Sequence, residues 1–325
     1  VQHLADGGMG AVYLAEQLEP VKRQVAIKVI KSGMDTQQVI ARFNAERQAL
    51  SMMNHSCIAR VLDAGTTSAG RPYFVMELVD GSPITSFCDD EKLGVRRRLK
   101  LFLKVCGAVQ HAHLKGIIHR DLKPANLFLS KKGRLKLGDF GIARDTEATA
   151  LTAAGKTVGT YAYMAPEQIQ VGPPISGKTD LYALGCLLYE VIVGEPPFQS
   201  DNPMDMLMQH LNDDPYNVCD KVVDCPIWLD QLIDRLLAKN PDDRPYDALA
   251  VHTELGEIRD RMAAGSDVSA TDTSTSGRGA TQTEKPATVV KKKKKKKKKA
   301  TGPFHEQTWF LATCLAALLS LSLIH

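Results

Sequence analysis

The stretch His119-Arg120-Asp121-Leu122-Lys123-Pro124-Ala125-Asn126 sets a carboxylate, two cationic side chains, an imidazole and a carboxamide within eight positions. Downstream come Asp139-Phe140-Gly141 and then Ala165-Pro166-Glu167. Upstream stand Val25-Ala26-Ile27-Lys28 and a glycine-rich turn, Gly7-Gly8-Met9-Gly10-Ala11-Val12. One such triplet would carry little weight. Five in this order constrain the reading.

The flanking patterns give an architecture. Ala11–Leu14 and Val25–Ile30 alternate and are rich in β-branched residues, so they read as two strands joined by a turn near Pro20. Residues 36–53 place Val39, Ile40, Phe43, Leu50 and Met53 on one side of a helix, and two more strands are expected around Ala59–Leu62 and Tyr73–Leu78. From Leu93 the character changes. Leu99, Phe102, Leu103, Cys106 and Val109 recur at helical spacing, and Leu181–Val193 is apolar nearly all round, the mark of a helix buried in a large domain. Trp228, Leu229, Leu232, Ile233, Leu236 and Leu237 give another helix, and Leu127–Leu129 and Leu135–Leu137 short strands. The fold class is therefore α+β, a small sheet-rich unit with one key helix followed by a larger, mainly helical one.

With these contexts the five motifs resemble the eukaryotic-like, Hanks-type serine/threonine protein kinases of bacteria over about residues 4–260. The resemblance implies a bilobal kinase domain over residues 1–262. Its N-lobe would cover about 1–78, with a truncated first strand, and its C-lobe about 80–262. It also implies transfer of the γ-phosphate of ATP, with Mg2+, to protein hydroxyls. That chemistry depends on positioning and on neutralising charge. Backbone N–H groups of Gly7, Gly8 and Gly10 would approach the phosphates, and Lys28 would supply charge to them, held by Glu46. Val12, Ala26, Met76, Glu77 and Val79 would line the adenine pocket, Met76 as gatekeeper and the last two through their backbones. Asp121 would be the catalytic base, with Lys123 beside the transferring phosphate. Asn126 and Asp139 would hold Mg2+, as hard oxygen donors suit that ion.

The same resemblance makes Arg120 a point of control by activation-loop phosphorylation, with Thr152 and Thr157 the candidate autophosphorylation sites among Thr146, Thr149, Thr152 and Thr157. Thr160 would orient the base, Asp180 would anchor the catalytic loop, and Arg244 would pair with Glu167. One position departs from the family: its first loop glycine falls at Ala5. The rival reading is a pseudokinase or nucleotide-binding scaffold. Retention of Lys28, Asp121, Asn126 and Asp139 argues against it.

Composition bounds the remaining classes. The formal net charge is +4, but Lys291–Lys299 alone contribute nine positive charges, so the rest of the chain carries −5. A folded part with that balance is not expected to bind nucleic acid. The seven cysteines (Cys57, Cys88, Cys106, Cys186, Cys219, Cys225 and Cys314) form no C-x-x-C pair, which points to reduced thiols in a cytosolic domain and to no zinc site or disulfide framework. His111 and His113 lie two apart on a helix and face different ways, so they are not expected to share a metal.

Beyond about Gly265 the residues are Ser, Thr, Ala and Gly with few large apolar side chains. Residues 263–303, lysine run included, are expected to be a disordered juxtamembrane linker. Trp309–Ile324 has no charge over sixteen residues, about 24 Å as a helix against a ~30 Å hydrocarbon core. Residues 304–325 are thus expected to be an incomplete membrane span, continuing beyond His325, just as the start at Val1 in place of Met suggests a truncated beginning. Lysines before the span favour a single-pass protein of the cell membrane with its kinase domain cytoplasmic, near anionic lipid. A kinase-domain dimer would serve autophosphorylation in trans.

Overall fold

A computed structural model of the chain describes residues 1–6, 10–30, 50, 52–130, 132–140, 158–170, 172–223 and 225–271. Five strands, β1 (Gln2–Asp6), β2 (Gly10–Gln17), β3 (Arg23–Ile30), β4 (Val61–Thr66) and β5 (Pro72–Glu77), form an antiparallel sheet in the order β1-β2-β3-β5-β4. Ala26, Ile30 and Phe74 are buried on one face of it and Val25 on the other. Gly10 enters the sheet so close to β3 that a Cβ there would stand 2.3 Å from the Val29 carbonyl oxygen. Only glycine fits that approach.

Beneath the sheet, β6 (Gly81–Pro83), β7 (Leu127–Ser130) and β8 (Leu135–Leu137) make a three-stranded antiparallel ribbon. Around it stand α1 (Ile84–Asp90), α2 (Val95–Leu114), α3 (Pro166–Ile169), α4 (Gly177–Val193), α5 (Pro203–Asn212), α6 (Val218–Lys221), α7 (Ile227–Leu236) and α8 (Ala248–Thr271). The molecule has the α+β, two-lobed arrangement expected from the sequence.

Helix α4 is the post of the helical unit. Ser176 caps it, its Oγ accepting from the Lys178 N–H while its own N–H donates to Thr179 Oγ1, and Gly194 at φ 96° ends it. Leu184, Leu187, Leu188 and Val191 are fully buried. Gly185 admits α7 to contact, since a Cβ there would lie 2.8 Å from Leu236 Cβ.

Local readings shift in instructive ways. The strand expected at Ala59–Leu62 begins at Val61, because Cys57 and Ala59, on either side of Ile58, bond to Leu137 of the ribbon instead. Trp228 and Ile227 stand 43 % and 54 % exposed, so the first turn of α7 lies outside the core; Trp228 stacks on the Arg261 guanidinium. Helix α8 continues to Thr271, past residue 262. The helix read over 36–53 falls almost wholly outside the described residues. Among the described residues no helix is long and apolar enough to cross a membrane; the lysine run and residues 304–325 lie outside them.

A smaller core of Tyr161, Ala162, Met164, Ile169, Phe198, Met206 and Leu207 seats the segment leading into α3. Against it His210 is buried, its Nδ1 2.9 Å from the Tyr182 hydroxyl. Burial pushes its pKa down to about 3. A histidine depressed in the folded state stabilises the protein fully above the ordinary value near 6.5, and that contribution is lost as pH falls towards 3. Urea unfolding at pH 7.5 and pH 5 should therefore show lower stability at pH 5, with a smaller difference in His210→Phe. In the same assay Gly185→Ala should lower stability by about 1–3 kcal/mol, through overpacking between α4 and α7.

Candidate active site

The loop from His119 to Asn126 hangs from one buried carboxylate. Asp180, in the first turn of α4 and 1 % exposed, accepts the His119 N–H and the Arg120 N–H at 2.8 Å each, on Oδ2 and Oδ1. His113 Nε2 from α2 reaches Oδ2, also at 2.8 Å. The helix N-terminus adds favourable potential. Arg120 is thereby held at φ +63°, in the left-handed region that an arginine seldom adopts. Its carbonyl accepts from Gln168 Nε2 at 3.0 Å, tying the loop to the Ala165-Pro166-Glu167 segment.

His119 is a structural pin. Its Nδ1 accepts the Asp121 N–H at 3.3 Å, which places the proton on Nε2, 3.0 Å from the Gly138 carbonyl. Burial lowers its pKa, so the ring is neutral. It also packs against Phe140 with ring centroids 4.6 Å apart. The loop is thus fastened directly to the Asp139-Phe140 segment.

The functional side chains converge from four elements. Asp121 Oδ2 lies 3.0 Å from Lys123 Nζ and 3.4 Å from Asn126 Nδ2. Asn126, 4 % exposed in the turn Pro124–Asn126, also donates to the Asp121 carbonyl at 2.7 Å, so its amide nitrogen is committed to the loop. The Asn126 carbonyl accepts the Gly138 N–H at 2.9 Å, which sets Asp139 beside it. Asp139 stands at φ +50°, and its Oδ1 pairs with the Lys28 ammonium arriving from β3. A carboxylate and a carboxamide oxygen fastened through adjacent backbone form a hard-oxygen donor set, which fits a magnesium ion and not a softer metal.

On the sheet side, Val12 sits opposite Lys28 across β2–β3, and Ala26 opposite Met76 across β3–β5. Glu77 ends β5, and Val79 lies in the connection to β6. Ala5, where the family carries a glycine, lies in β1 opposite Val12. Gly7, Gly8, Glu46, Thr152 and Thr157 fall outside the described residues. Thr160 lies in the turn Val158–Tyr163.

Spacing alone gives His113 no role, and only the fold brings it to Asp180. Gln168 is likewise invisible in sequence, since its second partner is 48 residues away. The pairing of Arg244 with Glu167 is present as a buried fork, with Nη1–Oε1 at 2.7 Å and Nη2–Oε2 at 2.9 Å. Thr179 and the carbonyls of Lys178, Ala238 and Lys239 complete its hydrogen bonds. Arg244→Ala would strand a buried carboxylate. A loss of about 3–5 kcal/mol in unfolding free energy is expected, measured by chemical denaturation.

The chain's similarities agree with this geometry. The family model for the protein kinase domain matches residues 1–254. The chain is 36% identical over 279 residues to the serine/threonine-protein kinase PknB of Mycolicibacterium smegmatis, covering 81% of this chain and 44% of that protein. It is 36% identical over 262 residues to PknB of Mycobacterium tuberculosis, covering 78% and 42%, and 37% identical over 250 residues to the serine/threonine-protein kinase Pkn1 of Myxococcus xanthus, covering 75% and 36%. The chain spans less than half the length of these relatives. On the family match, the order of the motifs and the two-lobed fold, it belongs to the protein kinase domain family, in its bacterial Hanks-type branch.

Proposed function

We propose that this chain is an active serine/threonine protein kinase that transfers the γ-phosphoryl group of ATP to protein hydroxyls in bacterial signalling. The observation that carries the reading is the meeting of Lys28, Asp121, Lys123, Asn126 and Asp139, from four elements, at one place between the two lobes.

Lys28 holds the α- and β-phosphates by its ammonium charge. Asp121 orients the substrate hydroxyl and takes its proton as the oxygen attacks the γ-phosphorus, while the β–γ bridging oxygen leaves with the bond's electron pair. Lys123, 3.0 Å from Asp121, lies where charge develops on the transferring group. Asn126 and Asp139 would hold Mg2+, which would supply neutralising charge to the phosphate oxygens. Gly7, Gly8 and Gly10 offer backbone N–H groups to those oxygens, and Glu46 holds Lys28. Val12, Ala26, Met76 and the backbones of Glu77 and Val79 take the adenine.

Arg120 pairs with phosphorylated Thr152 or Thr157, which a second copy of the chain modifies in a transient dimer. The tail reading belongs to the same proposal. The polylysine run lies on an anionic lipid surface, and residues 304–325 belong to a single membrane span that leaves the kinase domain on the cytoplasmic side. What supports it is the uncharged run at Trp309–Ile324, which follows the nine-lysine run after nine intervening residues.

Incorporation of labelled γ-phosphate into a generic basic protein tests the enzyme reading. Asp121→Ala should lower the rate at least about 10²-fold, as loss of a general base does. Equal incorporation by both proteins would mark a nucleotide-binding scaffold instead. Lys28→Met should be about 10²-fold slower with an unchanged melting temperature, and a normal rate would remove Lys28 from the site.

A further inference from the structure

A second ion pair joins the two lobes behind the hinge. Glu77 is the last residue of β5, and its Oε2 accepts from Lys136 Nζ of β8 at 2.9 Å. The same oxygen accepts the Arg60 N–H at 3.2 Å, while the Glu77 N–H donates to the Arg60 carbonyl at 2.8 Å. Lys136 Nζ also reaches the Ile58 carbonyl at 3.4 Å. One residue on, Leu137 donates to the Cys57 carbonyl at 2.7 Å and accepts the Ala59 N–H at 2.8 Å. The side chains of Lys136 and Glu77 are only 18 % and 34 % exposed, so water screens the pair partially.

Register gives this cluster its consequence. Lys136 precedes Asp139 by three residues on one chain segment. Glu77 follows Phe74 by three residues, and Phe74 is the β5 partner of Lys28. The pairs Lys28–Asp139 and Glu77–Lys136 therefore bridge the same two frames, one in the cleft and one behind the hinge. With both made, β8 cannot slide or tilt away from the sheet without breaking a charge pair and the backbone bonds beside it.

We propose that Glu77 and Lys136 are positioning residues for the phosphoryl-transfer site. Their ion pair sets the separation of the β5 edge and β8, and so holds Asp139 where it and Lys28 grip the same nucleotide. The inference rests on the roles assigned above to Lys28 and Asp139. Loss of the pair lowers the population of the closed arrangement in the free protein. Nucleotide must then supply the closure, which weakens apparent affinity in proportion while saturating ATP restores the rate.

The test is steady-state kinetics on the full chain with Mg-ATP varied, for Glu77→Gln, Lys136→Met and the double variant. Each single change should raise KM for ATP about two- to fivefold, the scale of a partly screened ion pair, with kcat within about twofold. The double variant should match the singles instead of multiplying their effects. Unchanged KM in both singles, a multiplicative double, or a raised kcat would overturn the proposal, the last because it would make the pair a restraint on closure. Should Lys136→Met fail to fold, Lys136→Gln takes its place, read together with faster hydrogen exchange at the Ala59 and Leu137 amides, because Glu77 also carries a backbone contact to adenine. Lys28→Met in the same assay separates the two readings. If it is inactive while the clamp variants behave as the parent, the clamp fails and the kinase assignment stands.

Discussion

The active-site geometry depends on the carboxylate of Asp180. A charge so deeply buried is costly unless donors replace its water, and here three do, from His113, His119 and Arg120. The exchange works in both directions. Asp180 gains its solvation from the loop backbone, and the loop gains a conformation that Arg120 would not choose freely, at φ +63°. Strain of this kind persists only where surrounding contacts over-determine it. From this anchor the order passes outward, through the neutral His119 ring to Gly138 and through the Asn126 carbonyl to the residue before Asp139.

Two lobes meet around that loop, and each is held together differently. The helical unit is held by apolar burial around α4 and by the Glu167–Arg244 fork, whose polar atoms find partners inside the protein. Such a pair contributes more to specifying one arrangement than to net stability, because desolvation offsets much of the Coulomb gain. The sheet is held by antiparallel ladders and by a close β2–β3 approach that demands Gly10. Among the described residues the two lobes are joined by the Lys28–Asp139 and Glu77–Lys136 ion pairs, by backbone bonds from Cys57 and Ala59 to Leu137, and by apolar packing of Ile58, Phe74 and Met76 on the same core as Leu137 and Phe140.

The glycine-rich turn shows how one residue type serves two demands. Gly10 is required by packing in the sheet, whatever the phosphates require of it. Ala5 lies in β1 opposite Val12, in a register interrupted between His3 and Ala5. A methyl group is accommodated at that strand position, beside the break in the β1–β2 register.

Much of this protein was legible without coordinates. The order of the five motifs, the 3.6-residue pattern of Leu99 to Val109 and the all-round apolar character of Leu181–Val193 were enough for the two-lobed α+β fold, because local periodicity reports which faces must be buried. Asp121, Asn126 and Asp139 could be named as candidates because the resemblance that points to them rests on short, contiguous motifs. Contacts between distant segments could not be read in that way. His113 meets Asp180 across 67 residues, Glu77 meets Lys136 across 59, and Gln168 meets the Arg120 carbonyl across 48. Trp228 kept its helical spacing and still lay outside the core, since periodicity gives a face but not what covers it. The sequence by itself determined which groups could do chemistry; only the tertiary structure decided which of them touch, because long-range pairing depends on how whole elements pack and leaves no local pattern in the chain.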